Sequence, residues 1–298
     1  MNTQTIILNR NNVMSNTNNT KYIYTFPQKV LMETQEICLA NLNMYYSWPN
    51  IQEVYNNNVF TYIWWNHLGV LNSVQHVTIP NGYYSISTLS AFIQSQMLLR
   101  GHYLVNNSNQ QKIFFISMIE NPTYYACQVS FTSMYQKGSV DAGLFTNENP
   151  PSQVNGVWKG WDLPATREYP KIQFLETSNM KNFLGFNVGI YPVAGTTVAT
   201  SFDMLSQNAP NTYPVSSINI QSNFVRSEIS IPNNILYSFS QGTANYGDLI
   251  DIHPQNLIWF RVPDGVYNQL EITFIDQDFN PMVILDSQIN MMILLRDV

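Results

Sequence analysis

From Tyr22 onward, short apolar and aromatic stretches recur between turn signals, the spacing of a β-sandwich and not of strands alternating with helices. Predicted strands include Tyr22 to Met32, Ile37 to Trp48, Val59 to Trp65, Lys112 to Ile119, Ser217 to Arg226, Ile235 to Phe239, Gln269 to Ile275 and Ile289 to Arg296. Several alternate cleanly: Leu270, Ile272 and Phe274 share one face while Glu271 and Thr273 take the other, so one side is buried. A turn between Ile275 and a further strand starting at Met282 is expected.

One segment departs from this period. Behind the turn Pro80-Asn81-Gly82, the residues Ile86, Leu89, Ile93 and Met97 fall on one helical face, with Ser85 or Ser87 as cap and Gly101 as stop. A helical turn is also expected at Ser178 to Leu184, ahead of Gly185. The stretch Asn147 to Pro170, rich in Asn, Pro, Gly and Trp, reads as a long irregular connection. Pro80-Asn81-Gly82-Tyr83-Tyr84 and Pro263-Asp264-Gly265-Val266-Tyr267 share the form Pro-Asx-Gly-x-Tyr, either a trace of duplication or common turn chemistry. Residues Asn9 to Thr20 are amides and hydroxyls with almost no apolar anchor, so residues 1–20 are expected to form a flexible arm, idle or ordering against a partner.

Only 11% of the 298 residues are Asp, Glu, Lys or Arg, against about 25% in an ordinary soluble domain. A surface of amides, hydroxyls and Tyr loses less on desolvation than a charged one, which suits a protein covered by its neighbours. A net charge of -6 with scattered basic residues excludes the electrostatic footprint of a nucleic-acid binder. No apolar run is long enough to span a membrane, and no signal peptide is recognisable, so synthesis inside a cell is expected.

Catalytic chemistry finds little support. Cys38 and Cys127 are too few and too distant for a disulfide framework or zinc site, and the four histidines are dispersed. No nucleophile elbow or phosphate loop occurs. Asp276, Asp278 and Asn280 imitate the start of a calcium loop, but Pro281 replaces its glycine and Ser287 its bidentate glutamate. No catalytic, cofactor-binding or metal-binding residue is therefore assigned, and no cofactor. Trp64 and Trp65, adjacent in a strand, should point to opposite faces. Trp158, Trp161 and Asp162, in the irregular connection, form either a surface contact or packing beneath a loop.

Several segments, in order, resemble the penton (minor capsid, vertex) proteins of virophages and polinton-type viruses. They are Val77-Thr78-Ile79-Pro80-Asn81-Gly82-Tyr83-Tyr84-Ser85-Ile86, Asn121-Pro122-Thr123-Tyr124-Tyr125-Ala126, Asn182-Phe183-Leu184-Gly185-Phe186 with Gly189-Ile190-Tyr191-Pro192, and Asn233-Asn234-Ile235-Leu236-Tyr237-Ser238-Phe239. Phe274-Ile275-Asp276-Gln277 and Ile293-Leu294-Leu295-Arg296 close the series, which runs from about Val59 to the C-terminal end. The resemblance implies an all-β protein: a single jelly-roll β-sandwich with an additional β-rich insertion domain facing outward and carrying the one short helix. It implies a non-enzymatic homopentamer at the vertex of an icosahedral virion. Its partners would be copies of itself, the major capsid protein of the shell and a host-cell or virus surface receptor, with no nucleic acid and no membrane span. The expected domains are an arm at 1–20, a jelly roll at 21–79 and 171–298, and an insertion at 80–170. The alternative is a β-sandwich module binding carbohydrate or a host receptor, with Trp158, Trp161 and Asp162 as its contact.

Overall fold

The computed structural model describes residues 3–137 and 143–298; residues 1–2 of the expected arm and 138–142 of the expected insertion lie outside the described residues. The chain opens with strands β1 (Thr3–Asn9), β2 (Lys21–Met32) and β3 (Gln35–Tyr45). It continues through β4 (Val59–Trp65), β5 (Leu71–Thr78), helix α1 (Ile86–Leu99), β6 (Leu104–Asn106), β7 (Lys112–Ile113), β8 (Ile116–Asn121) and β9 (Ala126–Thr132). Short strands β10 (Phe145–Thr146), β11 (Ser152–Val154), β12 (Val157–Lys159) and β13 (Lys171–Phe174) precede α2 (Met180–Leu184), β14 (Gly189–Tyr191) and β15 (Ser201–Leu205). The last six strands are β16 (Ile218–Ser222), β17 (Ile235–Phe239), β18 (Leu249–Ile252), β19 (Phe260–Arg261), β20 (Gly265–Asp276) and β21 (Ile289–Asp297).

Two units share the chain: residues 1–49 with 213–298, and residues 50–212. In the first unit one sheet runs β1-β21-β3-β18, with β19 also against β3, and the other runs β17-β16-β20-β2. Setting β19 aside, the eight strands pair antiparallel first with eighth (β1 and β21), second with seventh (β2 and β20), third with sixth (β3 and β18) and fourth with fifth (β16 and β17). That is one long hairpin. The pairings of β21 with β3 and β16 with β20 roll it into two sheets, which is the jelly-roll topology. Alternation fixes the faces: Ile6, Leu8, Leu42, Met44, Met291 and Ile293 are buried while Ile7, Asn290 and Met292 are exposed.

From Thr3 onward, the arm expected at residues 1–20 is instead part of this fold. Ile6 and Leu8 provide the apolar anchor, opposite Ile293 and Met291. The amides beyond them satisfy backbone groups themselves: Asn9 Oδ1 accepts from Asn11 N at 2.9 Å, Asn12 Oδ1 accepts from Asn9 N at 2.9 Å, and Asn19 Nδ2 donates to Ile284 O at 2.8 Å. Asn16, Asn18 and Asn19 hold positive φ angles of 62°, 52° and 57°, a region Asn tolerates better than most residues. An amide-rich stretch can thus form ordered turns without an apolar core of its own.

The second unit places four strands in the order β14-β13-β4-β5 and three in the order β15-β9-β8, beside the small sheet β10-β6-β7 and the hairpin β11-β12. Because β13 pairs with β4 and β4 with β5, residues 50–79 and 171–212 belong here and not to the jelly roll, which moves both expected boundaries outward from 80 and 170. Helix α1 is capped by Ser85, whose Oγ accepts from Thr88 N at 3.0 Å, and it buries Ile86, Leu89, Ile93 and Met97 as their spacing predicts. Ser90 Oγ accepts from Met118 N at 2.8 Å, fixing the helix on β8.

The recurring Gly-x-Tyr turns have one chemistry. Tyr84 Oη donates to Pro80 O at 3.1 Å, Tyr267 Oη to Pro263 O at 2.8 Å and Tyr191 Oη to Asn187 O at 3.3 Å. In each, the ring lies over the glycine two residues earlier, where a Cβ would meet ring atoms at 3.1 to 3.5 Å.

Candidate interaction surfaces

Of the three residues singled out as a surface contact, only Trp158 is an exposed large side chain. It lies on β12, opposite Gln153 of β11, in a hairpin turned by Asn155 and Gly156 at φ 51° and 76°. Trp158 is 48% exposed and stacks on His67, with centroids 4.8 Å apart. Trp161 is 1% exposed; its Nε1 donates to Gly101 O at 2.7 Å and its ring meets Trp64 edge-on at 5.2 Å. Asp162 Oδ1 accepts from Leu163 N at 2.9 Å, and its other oxygen pairs with Lys137. The indole N–H of Trp161 draws the ring inward because it finds a carbonyl there, leaving no shared binding face with Trp158.

Trp64 and Trp65 also depart from strict alternation. A bulge between them in the β4–β5 pairing lets both rings enter one core, 4.9 Å apart and both close to Trp161. His102 stacks on Trp64 at 4.9 Å and lies 2.7 Å from the Tyr62 hydroxyl through Nδ1. Burial, with Arg100 adding to it, pushes the His102 pKa down to about 3, so the ring is neutral near pH 7. Burial likewise raises the thiols, Cys38 to about 11 and Cys127 to about 12, which leaves both protonated and unreactive. Among the described residues, no three His, Cys, Asp or Glu side chains gather closely enough to hold a metal ion. Asp276 Oδ1 accepts from the backbone N–H groups of Asp278 at 2.9 Å and Asn280 at 2.7 Å, so it closes its own turn. No strand starts at Met282; the chain runs irregularly from there to β21.

The first unit presents surfaces of another kind. On the outer face of the sheet β1-β21-β3-β18, Asn9 faces Asn290, Asn290 faces Asn43 and Asn43 faces Asp251. This amide row, ended by the carboxylate of Asp251 on β18, crosses all four strands. Asn43 Nδ2 donates to Asp251 Oδ1 at 2.5 Å, and His253 Nε2 lies 2.9 Å from the same oxygen. Edge strand β2 carries Pro27, Lys29 and a break in register between Thr25 and Val30, features that discourage strand addition. Edge strand β1, Thr-Gln-Thr-Ile-Ile-Leu-Asn, carries none of them. The loop joining β16 to β17 exposes Ile229 at 98% and Ile231 at 95%, two isoleucines left almost wholly in water. Sequence pattern did not mark these features, since the row and the edge exist only once the strand order is known.

No family model matches the chain, and no curated protein sequence matches it. Among solved structures, the chain is similar to the mavirus penton protein, with a TM-score of 0.46 and 12% identity over 100% of this chain and 99% of that one. It is also similar to a chain from the cryo-EM structure of the Sputnik virophage, with a TM-score of 0.38 and 13% identity over 99% and 97% of the two chains.

Proposed function

We propose that this protein is a structural capsid subunit whose homopentamer forms the vertex of an icosahedral, virophage-type particle. The reading takes its main support from the eight-strand jelly-roll order with a second unit inserted between its third and fourth strands. Jelly rolls build viral capsids, and also lectins and cupins, so topology narrows the function without fixing it. The 11% charged composition favours assembly, because amides and hydroxyls pair across a seam where unpaired ions would cost several kcal/mol each.

Five copies about an axis make head-to-tail interfaces that close into a ring. Ile229 and Ile231 are suited to such a seam: covering both would contribute about 3–6 kcal/mol before association entropy, at about 1.5–3 kcal/mol each. In this reading the partners are copies of the chain and the major capsid protein of the shell, with the second unit left to meet a receptor. The chain acts in the virion after synthesis and assembly inside the host cell, and it performs no catalysis. Native mass spectrometry tests the ring. A species at five times 34.3 kDa, lost when Ile229 and Ile231 are both changed to Ser, is expected. A monomer at every concentration, alone and with the shell protein, would count against it.

A further inference from the structure

We propose that the amide row on the jelly-roll sheet is a binding site for an oligosaccharide that carries a carboxylate. A solvent-open groove of about 440 Å³ lies at one end of that sheet, where Asn9, Arg10 and Asn11 close β1 and where β21 begins. Its volume falls within the range of ligand sites. Arg10, Asn11, Tyr45, Gln288 and Asn290 are among the residues that line it, and none of their side chains has a hydrogen-bond partner within the described residues. Five residues whose side-chain hydrogen-bonding capacity is not used within the described residues therefore gather at one concave place.

The chemistry selects the ligand class. Each carboxamide offers two donors and an acceptor, which matches sugar hydroxyls that are both donor and acceptor. The Tyr45 ring, half-buried beside Leu249, supplies an apolar face with a polar tip. Arg10 is the one cation in the groove and fits a carboxylate bidentately, while Asp251 is already engaged by Asn43 and His253. A nucleic acid would need more than one cation. An extended peptide would add along the free edge of β1, parallel to the strands, whereas the row of four side chains crosses the strands over roughly 14 Å, three strand spacings. The groove lies within the first unit, so the site does not depend on ring formation.

The test is saturation-transfer NMR on the full chain with neutral, uronate-containing and sialylated oligosaccharides at up to millimolar concentration. The acidic oligosaccharides are expected to bind. R10A should weaken them about tenfold and leave neutral ones within about twofold, whereas N290A should weaken all of them about tenfold. W158A should change nothing. Should N290A melt early, Asn290→Asp, which keeps the size and repels an acidic ligand, replaces it. Failure of every oligosaccharide to bind, binding unaltered by N290A and R10A, or abolition by W158A would each overturn the site; a monomeric chain that still binds would overturn only the ring.

Discussion

Removing residues 1–9 is the sharpest perturbation of the fold, because these residues read as a dispensable arm by composition and as a structural strand by pairing. Strand β1 buries Ile6 and Leu8, the latter fully, against β21. At about 1.5–3 kcal/mol per buried side chain, their loss removes about 3–6 kcal/mol. It also hands one side of the β21 ladder to solvent. Against a domain stability of about 5–15 kcal/mol, the jelly roll would become marginal. With a urea slope of about 2 kcal/mol/M, its midpoint should fall by about 1.5–3 M. Hydrogen exchange followed by mass spectrometry assigns the effect: the peptide covering 289–297 should lose protection, while peptides of α1 keep theirs. Leu8→Ala alone should cost about 2–5 kcal/mol, and Ile7→Ala, on the exposed face of the same strand, within about 0.5 kcal/mol. Unchanged urea midpoint and exchange in the truncated chain would refute the reasoning.

Three further outcomes follow from the second unit and the thiols. Trp161→Ala should destabilise by about 3–5 kcal/mol in thermal or urea unfolding, and Trp158→Ala by about 0.5 kcal/mol or less. Cys38 and Cys127 should resist a thiol-reactive dye at pH 8 until the chain is unfolded, because burial holds both pKa values near 11 and 12; fast labelling of native protein would contradict their burial. His102 takes up a proton near pH 6.5 when unfolded but only at about pH 3 when folded, so the unfolded state binds the extra proton between those values. Its contribution is present above about pH 6.5 and is lost as pH falls toward 3, and His102→Gln should flatten that part of a stability-against-pH profile.

Elements defined by local periodicity were legible. Helix α1 buries the four residues its spacing marked, and β4 and β17 span the predicted strands Val59 to Trp65 and Ile235 to Phe239. Features set by distant pairing were not. Strand β1 has only Ile6 and Leu8 to announce it, and the energy that orders it comes from β21, nearly three hundred residues away in sequence. The insertion boundaries failed for the same reason: nothing in Val59 to Trp65 shows that its partner is Lys171–Phe174 and not a jelly-roll strand. Trp161 misled because a Trp among Pro, Asn and Gly looks exposed, whereas the loop folds back so that its N–H reaches Gly101 O. The amide surface was visible in composition, but the cross-strand row needed register, which sequence pattern does not supply.

The central claim is that this jelly roll is a building block of a fivefold vertex. Cryo-electron microscopy of particles purified from the source of the chain tests it most directly. The account predicts five copies of the two-unit chain at each vertex, with the first unit's strands traceable in the order reported above. Vertices filled by a different polypeptide, with this chain missing from the particles, would contradict it.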